Sequence, residues 1–148
     1  MIMKRFILFV LTAVLVLSQC AKGPDYSVVT LKDTMESYEA GPIDPAFLVG
    51  KVWHKIEYKY DERWDRWNRW SGDGSPVVLY RFEEGGTVRT NTSSDGYGSC
   101  QYSITPGSNL LTIDGQSYVT YPVSDEAFLI RLDDRLSLFR DMTGIWSF

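Results

Sequence analysis

An all-β fold is the clearest prediction from this sequence: an antiparallel up-and-down meander of about eight strands that closes into a barrel. From Phe47 onward, short runs rich in Val, Ile, Tyr, Phe and Thr are separated by Gly, Asp, Asn and Pro. The pairs Gly85 with Gly86 and Asp114 with Gly115 suit the positive backbone angles of tight hairpins. Apolar and polar residues alternate within the runs, so the sheet has one apolar face, which barrel closure would bury.

The predicted strands follow one another through short turns, so that neighbouring strands pair antiparallel. The connections carry residues that favour turns, such as Glu84 to Gly86, Ser94 to Gly96 and Asp133 to Asp134. In chain order the predicted strands are Leu48 to Tyr60, Val77 to Glu83, Thr87 to Thr92, Ser99 to Thr105, Asn109 to Asp114, Ser117 to Val123, Ala127 to Leu132 and Arg135 to Arg140.

The first strand poses a question about the orientation of Trp53. Strict alternation groups Trp53 with Lys55, Glu57 and Lys59, and a face with three charged residues is expected to meet solvent. A bulge after Gly50 would shift the alternation by one residue and turn the indole inward. We predict that bulge and an inward Trp53.

The N-terminus has the features of an export signal. Two basic residues precede an apolar stretch from Phe6 to Leu17, which has the length of a signal-peptide core. The stretch is too short to span a bilayer, which takes about 20 apolar residues. It ends in Leu17, Ser18, Gln19 and Cys20, a run that resembles a bacterial lipoprotein signal. The resemblance implies cleavage before Cys20 and acylation of that cysteine, with palmitate among the chains. The alternative is an ordinary secreted protein that is cut nearby.

Three regions are expected along the chain. Residues 1–19 form the lipoprotein signal peptide, residues 20–45 a lipidated N-terminus and flexible tether, and residues 46–148 the barrel domain. The tether is predicted from its prolines and from its few regularly spaced apolar residues. Within it, the run from Val28 to Leu31 has the composition of a short pairing segment.

Several runs carry a family resemblance that covers about residues 46 to 141. They are Leu48 to Trp53, Tyr80 to Val88, Tyr102 to Ile104 and Leu136 to Arg140, and they resemble the lipocalin-like domains of small lipoproteins of Gram-negative bacteria. The resemblance implies attachment to the outer membrane and a structural set of Gly50, Trp53 and Arg140, with the arginine packed over the tryptophan. The family has one residue between glycine and tryptophan, whereas this chain has two.

Tryptophan recurs at every third position in Trp64, Trp67 and Trp70, and an arginine directly precedes each of them. Period three predicts a turn or two of tight helix or an extended polyproline-like run, in which guanidinium groups stack on indoles. Two interpretations stay open. The segment is a self-packed loop that caps one mouth of the barrel, or it is a recognition surface for a sugar, a partner or lipid headgroups.

Two functional hypotheses follow. The first is a non-catalytic binding module for a small apolar or amphiphilic ligand, contacted by interior aromatic rings. The candidate ligand-binding residues are Trp64, Trp67, Trp70, Tyr80, Phe82, Tyr102, Tyr121 and Phe128, with Tyr118 on the same predicted interior. The second is a protein-interaction or envelope-assembly lipoprotein with a filled barrel, which uses the tryptophan segment as its contact surface.

Other functional classes find little support in the sequence. The formal net charge of −4 offers no footprint for nucleic acid. The only histidine, His54, lies inside a predicted strand, and Cys100 has no basic neighbour in sequence to activate its thiol. No metal-ligand spacing, nucleophile elbow or phosphate-binding loop is present in the sequence. We therefore expect a protein that is not an enzyme and has no cofactor.

Overall fold

A computed structural model describes residues 28–29, 38–69, 77–93 and 96–147 of the chain. Cys20, the signal peptide and Trp70 lie outside these residues. The described elements are β1 (Val28–Val29), α1 (Pro45–Leu48), β2 (Trp53–Asp61), β3 (Arg66–Arg69), β4 (Val78–Phe82), β5 (Thr87–Ser93), β6 (Gly96–Ile104), β7 (Leu110–Ile113), β8 (Gln116–Ser124), β9 (Ala127–Leu132) and β10 (Arg135–Asp141).

Eight of these strands, β2 and β4 to β10, form a closed antiparallel barrel. Consecutive strands from β4 to β10 are neighbours, and β10 pairs with β2. The barrel closes where β2 also pairs with β4, with Trp53 opposite Tyr80 and Lys55 opposite Val78. The predicted all-β meander barrel is confirmed.

The tight turns have the predicted chemistry. Asp114 and Gly115 both have positive φ, 50° and 77°, as does Asp133 before β10. Glycine is needed at residue 86, where φ is 86° and an added Cβ would lie 3.1 Å from the carbonyl oxygen of Tyr102. These left-handed residues reverse the chain in two or three positions, which keeps successive strands adjacent.

Strand β2 extends beyond the barrel into a hairpin with β3. Its first half pairs with β4, and its second half, from Tyr58 to Asp61, pairs with Arg69 to Arg66 of β3. Residues 62–65 form the turn, in which Asp65 has a φ of 49°. The prediction of a tight helix or polyproline run here is wrong, because both chain segments complete a β-ladder. The short strand β1 pairs with β3 in turn.

The barrel has an inner and an outer apolar cluster. The inner cluster includes Trp53, Phe82, Phe128 and Phe139, all without exposed surface. The outer cluster lies on the other face of β2, β9 and β10. Its buried members are Ile56, Tyr58, Trp67, Ala127, Leu129, Leu136 and Leu138. Because Trp67 of the hairpin joins this cluster, the hairpin covers one side of the barrel wall.

The chain before β2 seals one end of the barrel. Asp44 caps α1 by accepting a hydrogen bond from the Ala46 amide at 2.9 Å, and Leu48 is fully buried in the inner cluster. Earlier residues also pack: Ile43 is 5% exposed, and the Thr120 hydroxyl donates to the carbonyl of Gly41 at 2.6 Å. The packed domain therefore begins before residue 46, and the predicted first strand begins at Trp53 instead of Leu48.

Strand β2 corrects the expectation about alternation. Its pairing with β10 runs residue by residue from Trp53 to Lys59, so Trp53, Lys55 and Glu57 share one face. That face lines the barrel, since Trp53 belongs to the inner cluster and the ammonium of Lys55 lies 5.5 Å from the Tyr80 ring centre. The indole points inward as predicted, but no bulge is needed, because the charged residues point inward with it.

Candidate functional site at the barrel mouth

Aromatic rings fill the end of the barrel that α1 seals. Phe128 stacks on Phe139 with ring centres 4.7 Å apart, and Trp53 meets Phe128 edge to face at 4.9 Å. The indole N–H of Trp53 donates to the carbonyl of Leu48 at 2.9 Å. Phe82 and Phe128, two candidate ligand contacts, have no exposed surface. Their faces are therefore occupied by protein at this closed end.

A cation does lie over Trp53, but it is Lys51. Its amino group is 5.1 Å from the Trp53 ring centre and 4.3 Å from that of Phe47. It is also 3.6 Å from a carboxylate oxygen of Asp141. The family resemblance implied Arg140 at this place, yet Arg140 pairs with His54 and therefore lies on the opposite face of the sheet from Trp53.

The other half of the lumen is polar. Lys55 forms an ion pair with Glu57 at 2.7 Å. Burial alone would lower the pKa of Lys55, but the Tyr80 hydroxyl and the Glu57 carboxylate outweigh it and raise the pKa above 10.5. Burial in turn raises the pKa of Tyr80. At neutral pH the amino group of Lys55 is therefore a charged ammonium that faces the barrel lumen.

The remaining lumen-facing residues of interest are Tyr102, Tyr118 and Cys100: the two tyrosines have structural partners, and the cysteine thiol is not activated. Tyr102 donates its hydroxyl hydrogen bond to the carbonyl of Glu83 at 2.9 Å, and Tyr118 packs against the inner cluster. Burial, with a contribution from Asp114, raises the pKa of the Cys100 thiol, so the thiolate form is disfavoured.

Tyr121 is not an interior residue. It packs against the outer cluster, whereas Tyr118 of the same strand packs against the inner one. The two positions are three apart, and side chains separated by an odd number of residues leave opposite faces of a strand. The prediction that both line the interior is wrong for Tyr121.

A small cleft opens at the rim of the polar half, between β2 and β10. It has a volume of about 60 Å³ and is lined by Glu57, Tyr58, Lys59, Arg135, Leu136 and Ser137. Lys59 and Arg135 are directly opposed across the two strands. Facing cross-strand residues have Cβ atoms about 5 Å apart, so two cationic side chains start from adjacent points on this rim.

A larger open groove lies along the hairpin and meets the cleft at Lys59. Its volume is about 560 Å³, and its lining residues are Lys59, Tyr60, Asp61, Glu62, Arg63, Asn68 and Arg69. The Asp61 carboxylate accepts hydrogen bonds from the Asn68 amide group and the Arg63 backbone, which holds the hairpin turn in shape. We call the combined lining residues of the cleft and the groove the mouth site.

The described tryptophans of the hairpin have different environments. Trp67 is 1% exposed, with its ring 5.5 Å from that of Tyr60 and 5.7 Å from the Arg131 guanidinium. Trp64 is 64% exposed at the turn, with the Arg66 guanidinium 5.9 Å from its ring centre. Trp64 is therefore available to a partner and Trp67 is not.

Sequence reasoning missed the charged residues of the lumen and of the mouth site. Alternation in the sequence predicts a solvent face for Lys55, Glu57 and Lys59, and Arg135 is predicted only to lie in a strand. The sequence signal that could have found them is the parity they share with Trp53, because a large indole side chain is highly buried on average and so marks the inward face of the strand.

Comparison with known proteins gives no relative: no family model, no curated protein and no solved structure matches this chain. Within the described residues, none of the helices has the length and apolar character required to cross a membrane. Those residues also contain no group of three or more His, Cys, Asp or Glu side chains placed to hold a metal ion.

Proposed function

We propose that this protein is a lipid-anchored, lipocalin-like lipoprotein of the cell envelope that binds a small amphiphilic ligand, without catalysis, at the mouth of its barrel. The observation that carries the proposal is the mouth site itself. A groove of about 560 Å³ joins a rim cleft of about 60 Å³ at Lys59, while the closed end is packed with rings. The groove has the size of known small-molecule sites, roughly 300 to 1,000 Å³.

The lining of the mouth site favours an amphiphile over a purely apolar molecule. Tyr60 and the aliphatic stems of Lys59 and Arg63 offer apolar surface, and their polar ends offer charge and hydrogen bonds. A wholly apolar ligand would leave those charges desolvated and unpaired. The ligand therefore contacts the protein at the rim and the hairpin, not among the rings of Phe82 and Phe128.

A binding role agrees with the state of the reactive groups. The raised pKa of Lys55 keeps its amine protonated and non-nucleophilic, and the raised pKa of Cys100 keeps its thiol protonated. Attachment through an acylated Cys20 would hold the binding domain at the membrane surface, where amphiphiles concentrate.

The test is to purify the protein from membranes of a bacterial host and examine it by native mass spectrometry. We expect an N-terminal mass that includes acyl chains on Cys20 and a co-purifying small molecule, or saturable binding of an environment-sensitive amphiphilic dye. Asn68→Trp fills the groove and should weaken dye binding at least about tenfold. Ser103→Trp, on the exposed outer wall, is the matched control. Equal dye binding by both variants, or no binding by the native protein, would refute the proposal.

The second candidate function is a protein-interaction lipoprotein, and the exposure of Trp64 favours it. An indole that is 64% exposed at a hairpin tip, beside Arg66, has the composition of an interface hot spot. Trp64→Ser should abolish a reproducible cross-linked partner in cells while leaving amphiphile binding unchanged. Loss of dye binding with retained cross-links would instead place Trp64 in the ligand site.

A further inference from the structure

Trp64 is exposed on a turn that side-chain hydrogen bonds hold in place. It lies between β2 and β3 and directly follows Arg63, which lines the groove. The Tyr60 hydroxyl donates to the Asp65 carboxylate at 2.6 Å. The Asp61 carboxylate accepts a hydrogen bond from the Arg63 amide at 3.1 Å. The indole, 64% exposed, is thus carried by a backbone fixed on both sides, and a ligand that binds it pays little for ordering a loop.

The indole of Trp64 lies at the turn end of the groove. The Arg66 guanidinium is 5.9 Å from its ring centre, and Arg66 is directly opposite Asp61, a lining residue of the groove. Facing residues of an antiparallel pair leave the same face of the sheet. The negative face of an aromatic ring attracts the carbon-bound hydrogens of a sugar ring, which carry partial positive charge. A sugar at the end of the groove could therefore stack on this indole.

The charges around the groove are of both signs. The mouth site and the turn together hold five cations and four carboxylates: Lys59, Arg63, Arg66, Arg69 and Arg135, and Glu57, Asp61, Glu62 and Asp65. A ligand with a net charge would meet a like charge close to any attractive one. An uncharged head group that both donates and accepts hydrogen bonds fits such a lining, and sugar hydroxyls do both.

Glu62, Arg63 and Asn68 offer hydrogen-bonding groups to the groove. Asn68 donates one amide hydrogen within the hairpin at 3.1 Å, which leaves its second N–H and its carbonyl oxygen. In the described part of the chain, neither the Glu62 carboxylate nor the Arg63 guanidinium has a hydrogen-bond or ion-pair partner. Lys59 and Arg69 already have other interactions in the protein. We therefore expect the contacts to a ligand on the first three side chains.

From this juxtaposition we infer that the ligand of the mouth site carries an uncharged sugar head group, which stacks on Trp64 and bonds through its hydroxyls to Glu62, Arg63 and Asn68. The sugar is the head group of the amphiphile in the proposed function, on which this inference rests. Hydroxyls form strong hydrogen bonds with a carboxylate or a guanidinium, and two neighbouring hydroxyls match the planar fork of one guanidinium.

The test uses ten-carbon amphiphiles that differ only in the head group. Four are decyl glycosides, of glucose, galactose, mannose and N-acetylglucosamine. Decyl tetraethylene glycol ether is the uncharged control without a sugar ring, decanoate and decyltrimethylammonium are the charged controls, and the four methyl glycosides are the tail-free probes. Binding is measured by isothermal titration calorimetry below each micelle concentration, at low and high salt. We expect at least one decyl glycoside to bind at least about tenfold more tightly than the ether, with an advantage that high salt does not reduce.

Variants of the turn test the assigned contacts. Trp64→Ser should lose the advantage of the glycoside over the ether, and Trp64→Tyr should retain most of it, because tyrosine keeps an aromatic face. Arg63→Met should weaken glycoside binding about fivefold, since a hydrogen bond from a charged donor is lost. Ile145→Ser also removes an exposed apolar side chain, 71% exposed in the C-terminal turn, and is the matched control that should bind as the native protein does. A thermal melt of each variant confirms that the barrel is folded.

The outcomes separate this inference from the proposed function. Glycosides that bind no better than the ether, or an advantage that survives Trp64→Ser, overturn the sugar site and leave amphiphile binding standing. Tighter binding of either charged control than of every glycoside overturns the sugar site as well. Failure of every decyl compound and every methyl glycoside overturns both. Methyl glycosides that bind as tightly as decyl glycosides support the sugar site and contradict the need for a tail.

Discussion

The amino group of Lys51 lies 5.1 Å from the ring centre of Trp53 at the closed end of the barrel. The same amino group lies 4.3 Å from the centre of Phe47 and donates a hydrogen bond to the carbonyl of Asp125 at 3.0 Å. One lysine thus joins the chain that enters β2 to the turn between β8 and β9. A cation held over two rings contributes about 0.5 to 2 kcal/mol, depending on its desolvation.

The buried residues Trp53 and Trp67 should respond differently to the same substitution. Trp53→Phe removes the N–H that bonds to Leu48 and leaves a cavity, so we expect a loss of about 2 to 3 kcal/mol in the free energy of unfolding. Trp67→Phe also leaves a cavity, but it removes an indole N–H that has no hydrogen-bond partner within the described part of the chain, and this gain offsets part of the cost, so we expect a loss below about 1 kcal/mol. Urea unfolding measures both, and equal losses would contradict the assigned hydrogen bonding.

Lys51 should be energetically coupled to Phe47. In a double-mutant cycle with Lys51→Met and Phe47→Leu, we expect a coupling free energy of about 0.5 to 1 kcal/mol. Thermal or urea unfolding of the four proteins provides the value. The pair Arg89→Met with Phe47→Leu is the control and should show no coupling, because the Arg89 guanidinium is held by Glu83 at 3.0 Å on the outer wall. A coupling free energy equal to that of the control would contradict a cation–π contact between Lys51 and Phe47.

Alkaline pH should weaken the polar half of the lumen. The pKa of Lys55 is raised in the folded protein, because Tyr80 and Glu57 outweigh the opposite effect of burial. The folded state therefore keeps a proton that the unfolded chain releases, and its stabilisation is complete below about pH 10.4 and is lost as the pH rises further. Lys55→Met should flatten the decline of the unfolding free energy above that pH. An unchanged decline would contradict the assigned surroundings of Lys55.

The single histidine should titrate below its usual pKa. Burial, with repulsion from Arg69 and Arg140, lowers the pKa of His54 below 6.5. The unfolded chain then binds more protons in the window just below pH 6.5, so stability falls as the pH drops through it. An NMR titration of the imidazole carbon-bound protons measures the pKa directly. Trp146→Ala uncovers the ring, which now meets Trp146 at 4.9 Å, and should move the pKa back toward 6.5. A midpoint above 6.5 in the native protein would contradict this environment.

The strand order could be predicted from sequence because local chemistry fixes it. Gly86 and the Asp114 to Gly115 pair adopt the positive φ angles that short hairpins require, and each hairpin places its two strands side by side. The barrel follows, since an apolar face has to be covered. Strand ends could not be predicted as closely: the predicted first strand starts at Leu48, which is the last residue of α1, because a helix of four residues is too short to show helical periodicity.

The polar half of the lumen could not be predicted, because Lys55 and Glu57 do not follow the rule that charged residues face the solvent outside the barrel. Lys55 points into the barrel with a carboxylate and a tyrosine as partners, and those partners come from the register of separate strands. The structure of the β2–β3 hairpin was mispredicted for a related reason. The triplet spacing of tryptophans does not reveal that Trp67 covers the outer cluster while Trp64 stays in solvent.

If Cys20 is acylated, the pairing of β1 with β3 limits how far the hairpin would lie from the membrane. Val28 lies opposite Asn68, and only eight residue steps separate Val28 from Cys20. Eight steps span at most roughly 28 Å. With an acylated Cys20, the hairpin would lie close to the bilayer surface instead of at the end of a flexible 25-residue tether. The groove and its rim would then stay close to the lipid surface, so an amphiphile that leaves the bilayer would diffuse only a short distance to reach them.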